Sequence, residues 1–190
     1  MKNKHRIKYL FYTFFIVLIH ACNSPKKEKQ SIETKSDSLS IWIQNAKDSK
    51  NLLSIRKQYL DRSYNYLLSN HIDSTSLKNL SDIAYQTFKV NDTAVFKNRN
   101  EKVLQLALKI KDSFSLGDAH WNYATFYSRV KDYENSYFHF NEAEKYFIGY
   151  EYYVGKMLVG KSYIKNRFSD YIGSELDIIQ AIKIFKKYKK

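Results

Sequence analysis

The chain has 190 residues, a formal net charge of +13, and only 5 Gly, 1 Pro and 1 Cys. So few Gly and Pro residues exclude a β-sandwich or β-barrel, because such folds need turn residues every ~8–12 positions. One cysteine also excludes a disulfide scaffold and a Cys-based metal cluster. Since 44% of the residues are hydrophobic and 16% are aromatic, the chain has enough apolar surface for a folded, mostly helical core.

The N-terminal segment has the plan of a secretory signal peptide. Basic residues precede an apolar run of eleven residues, which ends shortly before the only cysteine, Cys22. As a helix this run is about 16 Å long, which is too short to cross a bilayer core of about 30 Å. We therefore predict a cleaved signal peptide over 1–21, whose four basic residues leave a processed chain with a charge of +9.

The residues before Cys22 carry a more specific pattern, with the small Ala21 next to the cysteine and the branched Ile19 two positions earlier. This segment resembles a bacterial lipoprotein signal. The resemblance implies that the thiol of Cys22 is acylated, and that the protein is an extracytoplasmic, membrane-anchored lipoprotein on the periplasmic face or in the outer membrane. An uncleaved anchor is the alternative, and it also places the rest of the chain outside the cytoplasm.

The next segment, 22–38, is polar, contains the only proline and has no aromatic residue. Such a composition predicts a flexible tether between the lipid and the folded domain.

From residue 39 onward apolar residues recur at helical spacing, so we predict a helical domain over 39–190. The predicted helices cover 39–48, 51–69, 75–90, 94–111, 116–130, 133–148, 152–166 and 170–188. The breaks between them are short, so neighbouring helices are expected to be antiparallel. Helix-capping residues are expected at Ser38, Ser74, Asp132 and the pair Ser169-Asp170.

The clearest candidate repeat unit lies at 117–150. Its first helix carries a small residue three positions before an aromatic one, and its second helix carries small, large and small residues in turn. These positions are Ala124, Tyr127, Ser136, Phe140 and Ala143. The unit resembles a tetratricopeptide repeat, a helix–turn–helix of about 34 residues, with serine at position 136 where alanine is usual.

Weaker copies of the unit lie on both sides of it. The last small position recurs at Ala107, Ala143 and Ala181, with spacings of 36 and 38 residues. The resemblance implies an all-α fold, a right-handed α-solenoid of about eight helices in helix–turn–helix pairs. An ordinary helical bundle with coincidental small residues remains the alternative.

We find no catalytic motif in the sequence. It has no Gly-rich phosphate loop, no H-E-x-x-H, no G-x-S-x-G, and no cysteine beyond the predicted lipid site. His120 and His139 fall on the two helices of the clearest repeat, but no further metal ligand is evident beside them. We therefore predict no catalytic residue, no cofactor, no metal and no small-molecule substrate; an enzyme built from scattered polar residues is a weak alternative.

Nucleic-acid binding is not expected either, although the chain is rich in both basic and aromatic residues. The aromatics recur at the spacing of helix cores, and the predicted location is outside the cytoplasm.

A repeat array uses the inner surface formed by its first helices to bind extended peptides. The resemblance places a partner-binding groove at Asp118, Trp121, Thr125, Ser128, Arg129, Lys161 and Lys165. Trp121 and Arg129 are residue types that dominate binding energy, although Trp121 packing on the adjacent repeat is an equal alternative.

We expect a non-catalytic protein-interaction scaffold with a protein or peptide partner in the cell envelope. The alternative is a truncated sensory fragment, the input half of a membrane-bound repeat-containing histidine kinase or transcriptional regulator.

Overall fold

The computed structural model describes residues 39–188, which form eight α-helices and no strand. The helices are α1 (Leu39–Lys47), α2 (Leu53–Leu68), α3 (Ser74–Lys89), α4 (Thr93–Ile110), α5 (Ser113–Arg129), α6 (Tyr133–Tyr146), α7 (Glu151–Arg167) and α8 (Tyr171–Lys186). Every predicted helix is confirmed, with each end within three residues of its predicted position. The predicted signal peptide, the tether, Cys22 and the Ser38 cap lie outside the described residues.

Four connections between helices repeat one short sequence, an apolar residue followed by a residue of left-handed backbone and then an aspartate. They lie at 90–92, 110–112, 130–132 and 168–170. The middle residues have φ between 58° and 65°. In each connection the aspartate N–H donates to the carbonyl five residues earlier, at 2.9–3.2 Å. The left-handed residue ends one helix while the aspartate begins the next, so the two helices are antiparallel.

Two of the predicted helix caps are confirmed, and one prediction is corrected. Asp132 and Asp170 accept a hydrogen bond from the backbone N–H three residues later, as predicted, and so does Asp112. The prediction for Ser74 was wrong by one residue. Asp73 is the cap and accepts from the Ser76 N–H at 2.7 Å, since its carboxylate also suits the positive end of the helix dipole.

The helices pack as consecutive pairs, α1 with α2, α3 with α4, α5 with α6, and α7 with α8. Each second helix also packs on the first helix of the next pair, and α3 contacts α5 directly. The fold is therefore all-α and solenoid-like, as predicted. The three periodic alanines, Ala107, Ala143 and Ala181, are all buried, so their spacing marks the places where helices pack closely.

Within 39–188 no helix is both long enough and apolar enough to cross a membrane.

Candidate functional site

One cavity of about 420 Å³ is lined solely by residues of α1, α3, α5 and α7. These are the first helices of four successive pairs, so all four pairs contribute to one surface. We call this space the first-helix cavity. Three residues of the predicted groove, Asp118, Trp121 and Thr125, line it.

The charged groups of the first-helix cavity partly neutralise one another. Lys47 Nζ of α1 forms an ion pair with Asp82 Oδ2 of α3 at 2.6 Å. Burial raises the pKa of the Asp118 carboxyl, while a hydrogen bond with the Ser81 hydroxyl and the nearby Lys78 ammonium oppose that shift. The cavity thus holds a partly desolvated carboxylate among lysines, an arrangement that favours a polar ligand able to share these charges.

Trp121 faces the cavity and also packs on the next helix pair. Its ring meets Phe147 and Tyr153 edge-on, with centroids 6.5 and 6.2 Å apart. Lys156 Nζ of α7 lies 5.1 Å from the Trp121 ring centroid, within the range of a cation–π contact. Trp121 therefore packs on the adjacent pair, as the alternative from sequence expected, and it also lines the cavity, while its contact with a partner stays a prediction.

A second cavity, of about 630 Å³, adjoins the first at Thr125, which lines both. Ser128 and Arg129 of the predicted groove line this second cavity together with residues of α6 and α7. The Arg129 guanidinium lies 5.0 Å from the Phe88 ring centroid and donates to Asn91 Oδ1 at 3.2 Å. Trp121 and Arg129 therefore share one helix face but line different cavities.

The last two predicted groove residues are placed elsewhere. Lys161 Nζ forms an ion pair with Glu144 of α6 at 2.6 Å, and Lys165 Nζ forms one with Asp177 of α8 at 2.8 Å. Neither lysine lines the two cavities. Both ammonium groups connect α7 to a neighbouring helix, and their contact with a partner stays a prediction.

Tyr153 and Lys156 of α7 also line the first-helix cavity, although the repeat pattern did not predict them. Lys161 and Lys165 were predicted as the counterparts, one repeat later, of groove residues on α5, and this rule selects the same side of both helices. A cavity between two helices is lined by the facing side of each, so a different side of α7 was needed. Helical periodicity alone does not distinguish the sides of α7. Only the arrangement of α7 relative to α5 determines which side faces the cavity.

His120 and His139 meet where α5 packs on α6. Their Nδ1 atoms are 3.0 Å apart, and the rings stack on Tyr146 and Tyr127 respectively. Burial lowers the pKa of both imidazoles, and the neighbouring His120 helps to bring that of His139 to about 4. Both rings are therefore neutral at neutral pH. Among the described residues, no three His, Cys, Asp or Glu side chains are grouped to hold a metal ion.

The fold and the two cavities define a class of protein, an all-α array of stacked helix pairs with two adjoining cavities lined by polar and aromatic side chains. Comparison with protein-family models, with curated proteins and with solved structures gives no match. The function is therefore inferred from the residues of the site.

Proposed function

We propose that this protein is a lipid-anchored, extracytoplasmic helical-repeat protein of the tetratricopeptide type, which binds a protein or peptide partner of the cell envelope without catalysing a reaction. The observation that supports this proposal is the first-helix cavity, to which all four helix pairs contribute. A surface shared by successive pairs suits an extended ligand, because each pair contributes a few side chains along its length.

The dimensions of the two cavities suit a short extended segment. Trp121 and Arg129 are eight residues apart on α5, a rise of about 12 Å, which equals three or four residues of extended peptide. Thr125 lies between them and belongs to both cavities. One peptide could therefore place a side chain in each cavity while its backbone passes Thr125.

The groove is tested by capturing partners from solubilised membranes with the tagged full chain. We expect Arg129→Ala to weaken partner binding by about 30-fold, since large interface side chains of this type contribute about 2 kcal/mol or more. Thr125→Tyr should do the same by blocking the junction of the two cavities. The partner's affinity for each variant, measured by titration, checks both expectations.

The matched control is Phe138→Ala, which removes a 54% exposed ring from α6, outside both cavities. It should leave partner binding unchanged. Equal capture by the wild type and both groove variants would contradict the proposed groove, provided that all of them melt at the same temperature.

The anchor is tested by metabolic labelling with an alkyne fatty acid. The wild type should incorporate the label and Cys22→Ala should not, because the chain has no other cysteine for acylation at a new N-terminus. Labelled protein is detected after click coupling and gel electrophoresis. Label that persists in the Cys22→Ala chain would contradict the lipoprotein assignment and leave the groove proposal untouched.

A further inference from the structure

The charged side chains that line the second cavity are all basic. They belong to Arg129, Lys131 and Arg167, and no aspartate or glutamate of residues 39–188 lines this cavity. The first-helix cavity differs, because Asp82 and Asp118 lie there among its lysines. The second cavity therefore has an excess of positive charge that its own lining does not balance.

The guanidinium groups of the second cavity bond only neutral oxygens. Arg129 donates to Asn91 Oδ1 at 3.2 Å, and Arg167 donates to the Tyr163 hydroxyl at 3.0 Å. Within 39–188 neither arginine forms an ion pair, and Lys131 forms none either. Since a guanidinium has five N–H donors, both arginines have donors left for a ligand.

The nearest carboxylates along the chain bond helix ends instead of these cations. Asp132, directly after Lys131, accepts from the backbone N–H and the side-chain amide of Asn135 at 3.2 and 2.7 Å. Asp170 accepts from the Gly173 N–H at 2.9 Å. Both carboxylates therefore cap the helix that follows, and the positive charge of the second cavity is open to an anion from outside the domain.

The charge of the cavity indicates which anion fits it. Like charges around one cavity repel each other, and an anion bound among them relieves this repulsion. A carboxylate has a single negative charge and two oxygens in one plane. A phosphate monoester has a charge of about −1.5 to −2 and three acceptor oxygens, and arginine binds it through two parallel hydrogen bonds. The phosphate therefore balances more of the charge of two guanidinium groups and one ammonium.

The neutral lining suits the rest of such a ligand. Hydroxyl groups of Ser128 and Tyr133 supply further donors, while Val159 and the ring of Tyr163 supply apolar surface. The cavity volume of about 630 Å³ leaves space for a group attached to the phosphate.

We propose that the second cavity binds a phosphate dianion, either free or carried by a small monoester, with Arg129, Lys131 and Arg167 as its counter-ions. The phosphodiester of a membrane lipid is a poorer match, because its single negative charge balances less of the cavity. This site is independent of the lipid anchor. Arg129 also belongs to the proposed groove, so Arg167 and Lys131 are the residues to change, and binding is measured without any partner.

The charge preference is tested with three ligands that share one ring, phenyl phosphate, benzenesulfonate and benzoate. The full chain in neutral detergent is titrated with each by calorimetry at physiological ionic strength, where attraction between distant exposed charges is screened. We expect phenyl phosphate to bind at least tenfold more tightly than the two singly charged ligands. Inorganic phosphate distinguishes the source, because equal affinity would support free phosphate and weaker affinity would support a monoester.

Two substitutions test the residues, and a third is their matched control. Arg167→Gln should weaken phenyl phosphate binding by about tenfold, since a hydrogen bond between charged groups is lost. Lys131→Gln should weaken it by about threefold, because this ammonium is exposed. Lys111→Gln removes the same charge from the same left-handed position of its connection, with φ 59° against 65°, but outside both cavities. It should leave the affinity unchanged.

Four results would overturn the proposal. Equal affinity for the three ring ligands would indicate a non-specific anion effect, and tighter binding of benzoate would indicate a carboxylate site. Equal weakening by the substitutions at 111, 131 and 167 would exclude the cavity as the location. Binding to phosphatidylglycerol vesicles that Arg167→Gln abolishes, without binding of phenyl phosphate, would assign the cations to a membrane surface. None of these measurements depends on partner capture, so failure of the groove proposal is distinguishable from failure of this one.

Discussion

Replacing Phe147 with alanine is expected to lower the free energy of unfolding by about 3–5 kcal/mol, the usual cost of removing a large ring from a well-packed core. Phe147 is fully buried at the end of α6. Its ring meets Phe114 of α5 at 5.5 Å and Tyr153 of α7 at 5.0 Å between centroids. A Cβ on Gly117 would lie 2.9 Å from the same ring, so the surrounding backbone is also in close contact.

The large effect follows from the position of Phe147 between two helix pairs. Removing the ring takes away its contacts with Phe114 of α5 and Tyr153 of α7, and three helices cannot collapse easily into the space. For a domain of this size the melting temperature should fall by about 10 °C. Urea unfolding followed by circular dichroism measures the change.

Phe138→Ala provides the comparison, since it removes the same ring from an exposed position of the same helix. It should change stability by less than about 0.5 kcal/mol. If the two variants unfolded at the same urea concentration, the stacking of the α5–α6 pair on α7 would be contradicted.

Gly160→Ala is expected to lower the free energy of unfolding by about 1–3 kcal/mol, although glycine to alanine within a helix ordinarily raises it by about 0.5–1 kcal/mol. Gly160 lies in α7, and a Cβ there would be 2.3 Å from Cε1 of the Phe140 ring on α6. The ring would have to move, and it is itself buried. Because α6 and α7 approach so closely here, Gly160→Ala is expected to destabilise the protein, whereas the same substitution in an exposed helix usually stabilises it.

A double variant distinguishes this clash from a general effect on the helix. Phe140→Leu removes the ring atoms that a Cβ at 160 would meet, so Gly160→Ala should cost much less in that background than in the wild type. Val159→Ala, at an exposed neighbouring site, controls for helix propensity. Thermal melts of the four chains of this cycle give the coupling energy, and a coupling near zero would refute the proposed contact.

Much of the fold follows from local sequence. The helix ends were predicted because apolar periodicity and the short polar breaks between helices depend on residues within a few positions of each other. The apolar residue, left-handed residue and aspartate at 130–132 recur at 90–92, 110–112 and 168–170. At the third helix, Asp73 was a better candidate cap than Ser74, because a carboxylate both accepts the first free N–H groups and suits the helix dipole.

The candidate site was predicted correctly on α5 but not on α7. Asp118, Trp121 and Thr125 line the first-helix cavity, while Lys161 and Lys165 pair with acidic residues of α6 and α8. Which side of α7 faces α5 depends on how the α7–α8 pair is rotated against its neighbour. That rotation is set by contacts such as Phe140 against Gly160, and these residues are twenty positions apart with no local signature in common.

By itself the sequence determined the helical class, the number and bounds of the helices, and the positions of the buried alanines, because all of these depend on patterns within one or two helices. Only the tertiary structure decided that Trp121 and Arg129 line separate cavities, that His120 meets His139, and that Arg167 lines the same cavity as Arg129. Those features depend on the distance and rotation between packed helices, which side-chain volumes decide jointly across the whole array.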